Sequence, residues 1–239
     1  MIMAVAILGA GYFIGGGPAK FKTATRTVTV KGLADKEVVA DFVIWTLSMR
    51  RANRDIGAAQ REIKADRDRL IAFLIKKGFA EEELERVPIS IQDKQATQYS
   101  GPNTIKDDSA RYVASATVVV RSAKVGVARI AFGGMDELMQ TGILLAVGRD
   151  DGRSNLVYRY TKFNELRPSL IADATKNARL SAEKFASDSN KRVGAIRSAQ
   201  QGLIQIFGEE GQDEAGGYVA TSYRKKIRVV NTIEFDLVD

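Results

Sequence analysis

Beyond Phe21 the apolar positions of this 239-residue chain recur with two alternating periods, every second residue and then every third or fourth. Arg26–Lys31 places Val28 and Val30 on one face of a β-branched run, and Val38–Arg50 places Val39, Val43, Trp45, Leu47 and Met49 on one side of a longer one. The pattern predicts two paired strands turning around Gly32–Glu37. Asn53 is a suitable N-cap for a helix reaching Lys77, with Ile56, Ile63, Leu70, Ile71 and Leu74 as its apolar stripe and Gly78 as its left-handed stop. Arg86–Asp93 and Arg111–Arg121 follow as strands, the second with Tyr112, Ala114, Ala116, Val118 and Val120 on one face. Ser122 is a candidate cap for a helix running to about Gln140, ended by Gly142.

A third round starts with Ile143–Ala146 and Leu156–Thr161 as strands. The longest helical pattern then runs from about Asn164 to Ser189, with Leu166, Leu170, Ala174, Ala178, Ala182 and Phe185 at helical spacing and Pro168 read into its first turn. Val193–Phe207 and a strand from about Ser222 to Val238 close the chain. In the latter, Ile227, Val229, Ile233, Phe235 and Leu237 alternate with Arg228, Thr232, Glu234 and Asp236. The order ββα-ββα-ββα-ββ, with short polar connections, predicts an α+β fold: mainly antiparallel sheet covered by about three helices. Gln92–Ser109 and Glu209–Gly217 read as exposed loops, so residues 20–239 form one expected domain.

Ahead of it, Met1–Ala19 carries no charge, whereas all 36 Lys and Arg and all 29 Asp and Glu follow. A run of about 18 apolar residues suits a bilayer-crossing helix, and the strongly apolar Ile2–Ile14 also fits the core of an export signal. Residues 1–19 are therefore expected to form an apolar helix, a membrane anchor or uncleaved signal-like segment. Lys20, Lys22 and Arg26 follow the run and no basic residue precedes it, which taken alone favours a cytoplasmic C-terminal side. Met1 falls directly at the apolar stretch, as expected where a short basic start is missing. Two rivals stand beside the anchor. A buried N-terminal strand is one. The other is a nucleotide-binding turn using Gly9 and Gly11, although Ile14 occupies the third glycine position and Gly15-Gly16-Gly17-Pro18 obstructs the helix that should follow.

Composition narrows the chemistry. With no Cys and no His, the chain lacks disulfides, thiol nucleophiles, zinc fingers, the Ser-His-Asp triad and His-ligated metal sites. A hydrolase would need carboxylates or a Ser-Lys pair, and Ser181 with Lys184 sits at helical i,i+3 spacing, where a solvated surface is the plainer reading. Asp107-Asp108 and Asp150-Asp151-Gly152 are adjacent loop carboxylates; Asp150 and Asp151 are weak candidates for a hard cation, and turn chemistry explains them equally. The formal net charge is +7 with both signs interspersed, and the densest basic run is Tyr223–Arg228. It reads as a solvated edge strand, the alternative being contact of Arg224, Lys225 and Lys226 with anionic lipid. No nucleic-acid motif is visible. Trp45 reads as core, and Asn177 and Arg179 as polar residues making a structural hydrogen bond to a loop.

The run Arg26–Asp35 followed by Val38-Val39-Ala40-Asp41 resembles the opening of the SIMPL domain family, largely uncharacterised bacterial envelope proteins. Tyr160–Pro168, Ala172–Arg179 and Ala182–Ala186 resemble its late Ala-rich helix, continued by Val193–Arg197 and Gln201-Gly202. The motif residues Lys31, Gly32, Asp41, Asn164, Pro168, Asn177 and Arg179 have no role that the resemblance assigns. It implies an N-terminal signal or inner-membrane anchor with the domain in the periplasm, ring assembly in some relatives and a loose link to stress tolerance. It implies no catalytic motif and no cofactor. The expectation is a non-enzymatic, membrane-tethered periplasmic protein working by self-association, as a homo-oligomer, or by binding an envelope partner. An envelope enzyme with a carboxylate, Lys and Ser site is the alternative, and nucleotide binding through Gly9 and Gly11 a further one.

Overall fold

The computed structural model describes residues 26–97, 110–146, 156–208 and 222–239. Their order is β1 (Thr27–Val39), β2 (Phe42–Asn53), α1 (Ile56–Lys77), a 3-10 turn (Glu81–Glu83), β3 (Leu84–Asp93), α2 (Lys94–Thr97), β4 (Tyr112–Ser122), α3 (Val125–Gly133), α4 (Met135–Met139), β5 (Leu145–Ala146), β6 (Leu156–Arg159), α5 (Phe163–Asp188), β7 (Arg192–Gly208) and β8 (Arg224–Val238). Apart from the short α2 and the division of the second expected helix into α3 and α4, this is the ββα repetition expected from the sequence. The fold is α+β with two antiparallel sheets. The expected N-terminal helix lies outside the described residues.

One sheet has the order β3-β4-β2-β5, with β6 also paired to β2; the other has the order β1-β8-β7. The described residues divide into two compact units. The larger comprises Ala34–Ala172 and Leu203–Val229, the smaller the chain up to Leu33, Asp173–Gly202 and Val230–Asp239.

In the larger unit, β2 and β4 pair antiparallel from Val43 opposite Ser122 to Asn53 opposite Tyr112, so that Trp45 lies opposite Val120 and Met49 opposite Ala116. Alternation puts Val43, Trp45, Leu47 and Met49 on the face that α1 covers with Ile63, Leu70, Ile71 and Leu74, and all eight are buried. Trp45 is thus core, as expected. The α1 stop is also as expected: Gly78 has φ 111°, and its N–H reaches the Ile75 carbonyl. The start differs. Asp55, not Asn53, is the N-cap, because its carboxylate accepts the Ala58 N–H at 2.6 Å while Asn53 still belongs to β2. Ile56 is consequently at the exposed entrance of the helix. Within this unit Asp66, 1% exposed, receives Arg51 Nε at 2.5 Å and Nη2 at 3.1 Å. Arg51 also donates to the Gly142 carbonyl, so one guanidinium ties β2, α1 and the turn after α4. The Asp66 hydrogen bond raises the Arg51 pKa against the opposing effect of burial.

The smaller unit has a different core. Val30, Ala178, Ala182, Ile233 and Phe235 are buried together. The stripe of α5 in this unit is Ala174, Ala178, Ala182 and Ala186, every fourth residue and each at most 1% exposed. Phe185, expected in that stripe, is exposed because it lies one residue off the i,i+4 row.

Several expectations need correction. Gly32 is no turn: β1 runs straight through it to Val39, and β1 and β2 belong to different sheets, joined at Ala40-Asp41. A Cβ on Gly32 would lie 1.9 Å from the Ala174 carbonyl oxygen and 2.6 Å from the Ala178 nitrogen. Glycine is there for close approach of helix and strand, not for reversal. Val39 is exposed because it ends β1 instead of opening β2. Tyr223–Arg228 is no edge strand, since β8 is the central strand of its sheet. Ser122 does not cap a helix that reaches Gln140. The helix begins at Val125 and breaks at Gly134, where consecutive glycines weaken helix propagation. Pro168 is the sixth residue of α5, past the first turn, so the Asn164 carbonyl lacks the donor it would have four residues on.

Candidate functional site

Cationic side chains gather on the solvent-facing side of β8. Strand alternation buries Ile227 and Val229 and directs Arg224, Lys226 and Arg228 to the opposite face, successive members about 6.6 Å apart along the strand. The same alternation on β1 leaves Asp35, Glu37 and Val39 exposed and Ala34 buried. Asp35 accepts both arms of the Arg228 guanidinium, at 2.8 and 2.9 Å, and lies 3.2 Å from Lys226 Nζ. The Arg228 hydrogen bond, reinforced by Lys226, holds the Asp35 carboxyl below the usual range despite its partial burial, and Asp35 in turn raises Arg228. The Arg228 guanidinium lies over the Phe207 ring of β7, 5.1 Å from its centroid.

These groups border a cavity of about 670 Å³ lined by Glu37, Val38 and Val39 of β1, Phe207 and Gly208 of β7, and Arg224, Lys225, Lys226 and Arg228 of β8. All belong to the larger unit. On this face Arg224, Lys226 and Arg228 stand with the carboxylates of Asp35 and Glu37 beside an apolar wall, while Lys225 alternates to the buried face. The Arg228 fork is taken up by Asp35, since arginine donates in a geometry matched to carboxylate oxygens.

The motif residues marked in the sequence do not converge on this cavity. Asp41 clamps a strand exit: its carboxylate accepts the Thr161 N–H at 2.7 Å and the Thr161 hydroxyl at 3.1 Å, while its own N–H donates to the Arg159 carbonyl. Asn177 Nδ2 donates to the Leu33 carbonyl at 2.8 Å, next to the Gly32 approach. Arg179 lies 4.9 Å over the Phe235 ring and donates to the Gly194 carbonyl. Both serve structure, as expected, although they reach strands and not a loop. Lys31 is exposed on β1, Asn164 is in the first turn of α5 and Pro168 lies inside that helix. The Ser181 hydroxyl donates to the Asn177 carbonyl one turn back, its usual helical partner, and not to Lys184. Asp107, Asp108, Asp150, Asp151, Gly9 and Gly11 lie outside the described residues. Among the described residues no group of three or more acidic side chains is arranged to hold a metal ion, and no helix is long and apolar enough to cross a membrane.

Two clusters escaped sequence reasoning. Glu83 collects the Ser122 hydroxyl at 2.6 Å, the Ala80 N–H at 2.7 Å and Lys124 Nζ at 2.9 Å. Burial pushes this carboxyl up, but the three donors outweigh it and its pKa lies below the ordinary value. Ser122 is 2% exposed, and its oxygen also accepts the Lys124 N–H, so the trio locks β4 to the turn before β3. The other is Asp35 with Lys226 and Arg228. Only parity along β1 and β8 hints at it, because the partners are some 190 residues apart in sequence.

A family model described as SIMPL, protein of unknown function (DUF541), matches residues 28–233. The chain belongs to the SIMPL family. No curated protein matches it. The SIMPL match begins at Val28 of β1 and ends at Ile233 of β8, so it includes residues from both compact units and every residue lining the basic cavity, while Phe235 of the smaller core lies beyond it. In this SIMPL protein the Gly32 approach and the alanine row of α5 are packing features, whereas the cavity is a surface feature. The two therefore answer to different demands.

Proposed function

We propose that this SIMPL protein is a non-enzymatic, membrane-tethered periplasmic protein that acts by self-association, or by adding a strand from an envelope partner. The observation that carries the reading is β7. It is the terminal strand of the β1-β8-β7 order, 17 residues long, and from Ala195 through Leu203 its residues are exposed on both faces. Ile196 is 44% and Leu203 83% exposed. A long terminal strand with exposed apolar side chains is a template for pairing with another chain, and proteins that stay single usually blunt such edges with charge, proline or a bulge. The uncharged run 1–19 supports the tether, and the family resemblance supports the periplasmic side. Link to stress tolerance would follow from the assembled form.

Light scattering on the full chain in mild detergent is the test. An oligomer is expected, and Leu203→Lys should shift it toward monomer by placing charge on the pairing edge. A monomer at every protein concentration would sink the assembly reading. A periplasm-dependent reporter fused after Asp239 should be active with residues 1–19 and silent without them.

A further inference from the structure

We infer that β7 pairs with the β7 of a second copy of this chain, antiparallel about a two-fold axis at Gln200; this rests on the self-association reading and names its contact. Among the described residues the β1-β8-β7 sheet has two edges, and they are built differently. β1 exposes Lys31, Lys36 and Glu37, charges of the kind that discourage strand pairing. β7 contains no lysine, acid or proline from Arg192 to Gly208. Its two cations are engaged within their own copy: Arg192 donates to the Asp239 carbonyl at 3.0 and 2.5 Å, and Arg197 lies 3.8 Å from the Asp236 carboxylate. A head-to-tail contact would set β7 against the charged β1 of another copy. Head-to-head pairing joins the two β7 edges and closes as a dimer.

The residues of β7 then set the register. With the axis at Gln200, the midpoint of the strand, all 17 residues overlap. Ile196 falls opposite Ile204 of the partner subunit, and Val193 opposite Phe207 of the partner subunit, cross-strand apolar pairs that stabilise a sheet. Arg192 and Arg197 fall opposite glycine and leucine, so like charges do not meet. An axis at Arg197, or parallel pairing in register, would set guanidiniums side by side. Gln200 meets its own copy, and its amide both donates and accepts. The strand is exposed from Ala195 through Leu203, so this edge is open to a second chain.

The full chain in mild detergent is measured by analytical ultracentrifugation. Gln200→Lys sets two ammoniums opposite each other and Gln200→Glu two carboxylates, so each alone should weaken dimerisation at least about tenfold. Mixing the two variants should restore it, because lysine then meets glutamate at the axis. Misfolding cannot imitate that rescue, and only a position that faces itself gives it. The chain has no Cys, so Gln200→Cys supplies a covalent check. Oxidation with copper phenanthroline should link two copies through it, whereas Arg192→Cys, whose copies would lie at opposite ends of the paired strands, should not link. Equal linking of both cysteine variants overturns the proposal, and so does an oligomer that is unchanged by the charge variants or is not rescued on mixing; self-association through another surface then stands. A monomer at every concentration overturns both readings and leaves β7 to a strand of a different protein.

Discussion

The two compact units bury their apolar surface by opposite means. The larger one interdigitates big side chains, Trp45, Met49, Ile63, Leu70 and Leu74, between a sheet face and α1. The smaller one brings backbones together, with alanines at every fourth position of α5 and Gly32 facing Ala174 and Ala178. In the first, stability scales with area removed from water, about 25 cal/mol per Å². In the second it depends on the absence of atoms, because a single methyl group has nowhere to go. The first core should therefore be sensitive to truncation and the second to enlargement.

Trp45→Ala should show the largest effect. The ring is 1% exposed, and truncating a buried aromatic to alanine costs about 3–5 kcal/mol, which denaturant unfolding monitored by circular dichroism will measure. A loss below about 1 kcal/mol would mean that the larger core collapses around the gap and does not behave as interlocked side chains.

Gly32→Ala tests the other side of the comparison. The added Cβ would sit 1.9 Å from a carbonyl oxygen and 2.6 Å from a backbone nitrogen, neither of which can swing aside like a side chain. A destabilisation of about 1–3 kcal/mol is expected from overpacking, against a gain of under about 1 kcal/mol that alanine usually brings by restricting the unfolded chain. The sign decides: a stabilised variant would mean that helix and strand are not held at this distance. The mirror control, Ala178→Gly, removes a methyl group and should cost less than Trp45→Ala.

This contrast also explains what could be read from the sequence. The larger core was legible because big apolar residues at period two and period 3.6 leave no ambiguity about face: Trp45 and Ile63 fell where alternation put them. The order of elements followed for the same reason. Gly32 was misread because glycine marks both a reversal and a close approach, and only the partner, about 140 residues away in sequence, distinguishes them. The tail of β1 was lost with it, since a strand thought to turn at Gly32 cannot carry Asp35 toward β8. For the cavity, the basic run Tyr223–Arg228 was visible as charge, but its place at the centre of a sheet and its carboxylate partner were not. Charge density shows in a sequence; which strand lies beside it does not. Exposed β7 fared better as a strand than as an edge, because pairing order leaves no local trace in residue pattern.

The smallest predicted effect separates the units by their response to acid. In the larger unit Glu83 accepts three hydrogen bonds in a partly enclosed position, its side chain 20% exposed. In the smaller unit the comparable carboxylate, Asp239 paired with Lys191, is exposed. Glu83 has a folded-state pKa lowered from its ordinary value, so its contribution is complete above the unfolded glutamate pKa of about 4.3 and is lost as pH falls through the lower folded value. Protonation removes an acceptor that Ser122 and Lys124 need, and Glu83→Gln removes the charge at every pH. The variant should be less stable than the parent at pH 7 by about 1 kcal/mol, and the gap should narrow below about pH 4. Amide exchange should localise the parent's acid-induced loss of protection to β3, β4 and the turn at Ala80, and leave the alanine row of α5 protected. Protection lost first in α5 would reverse the assignment, because among the described residues the smaller unit has no buried carboxylate to report the change in pH.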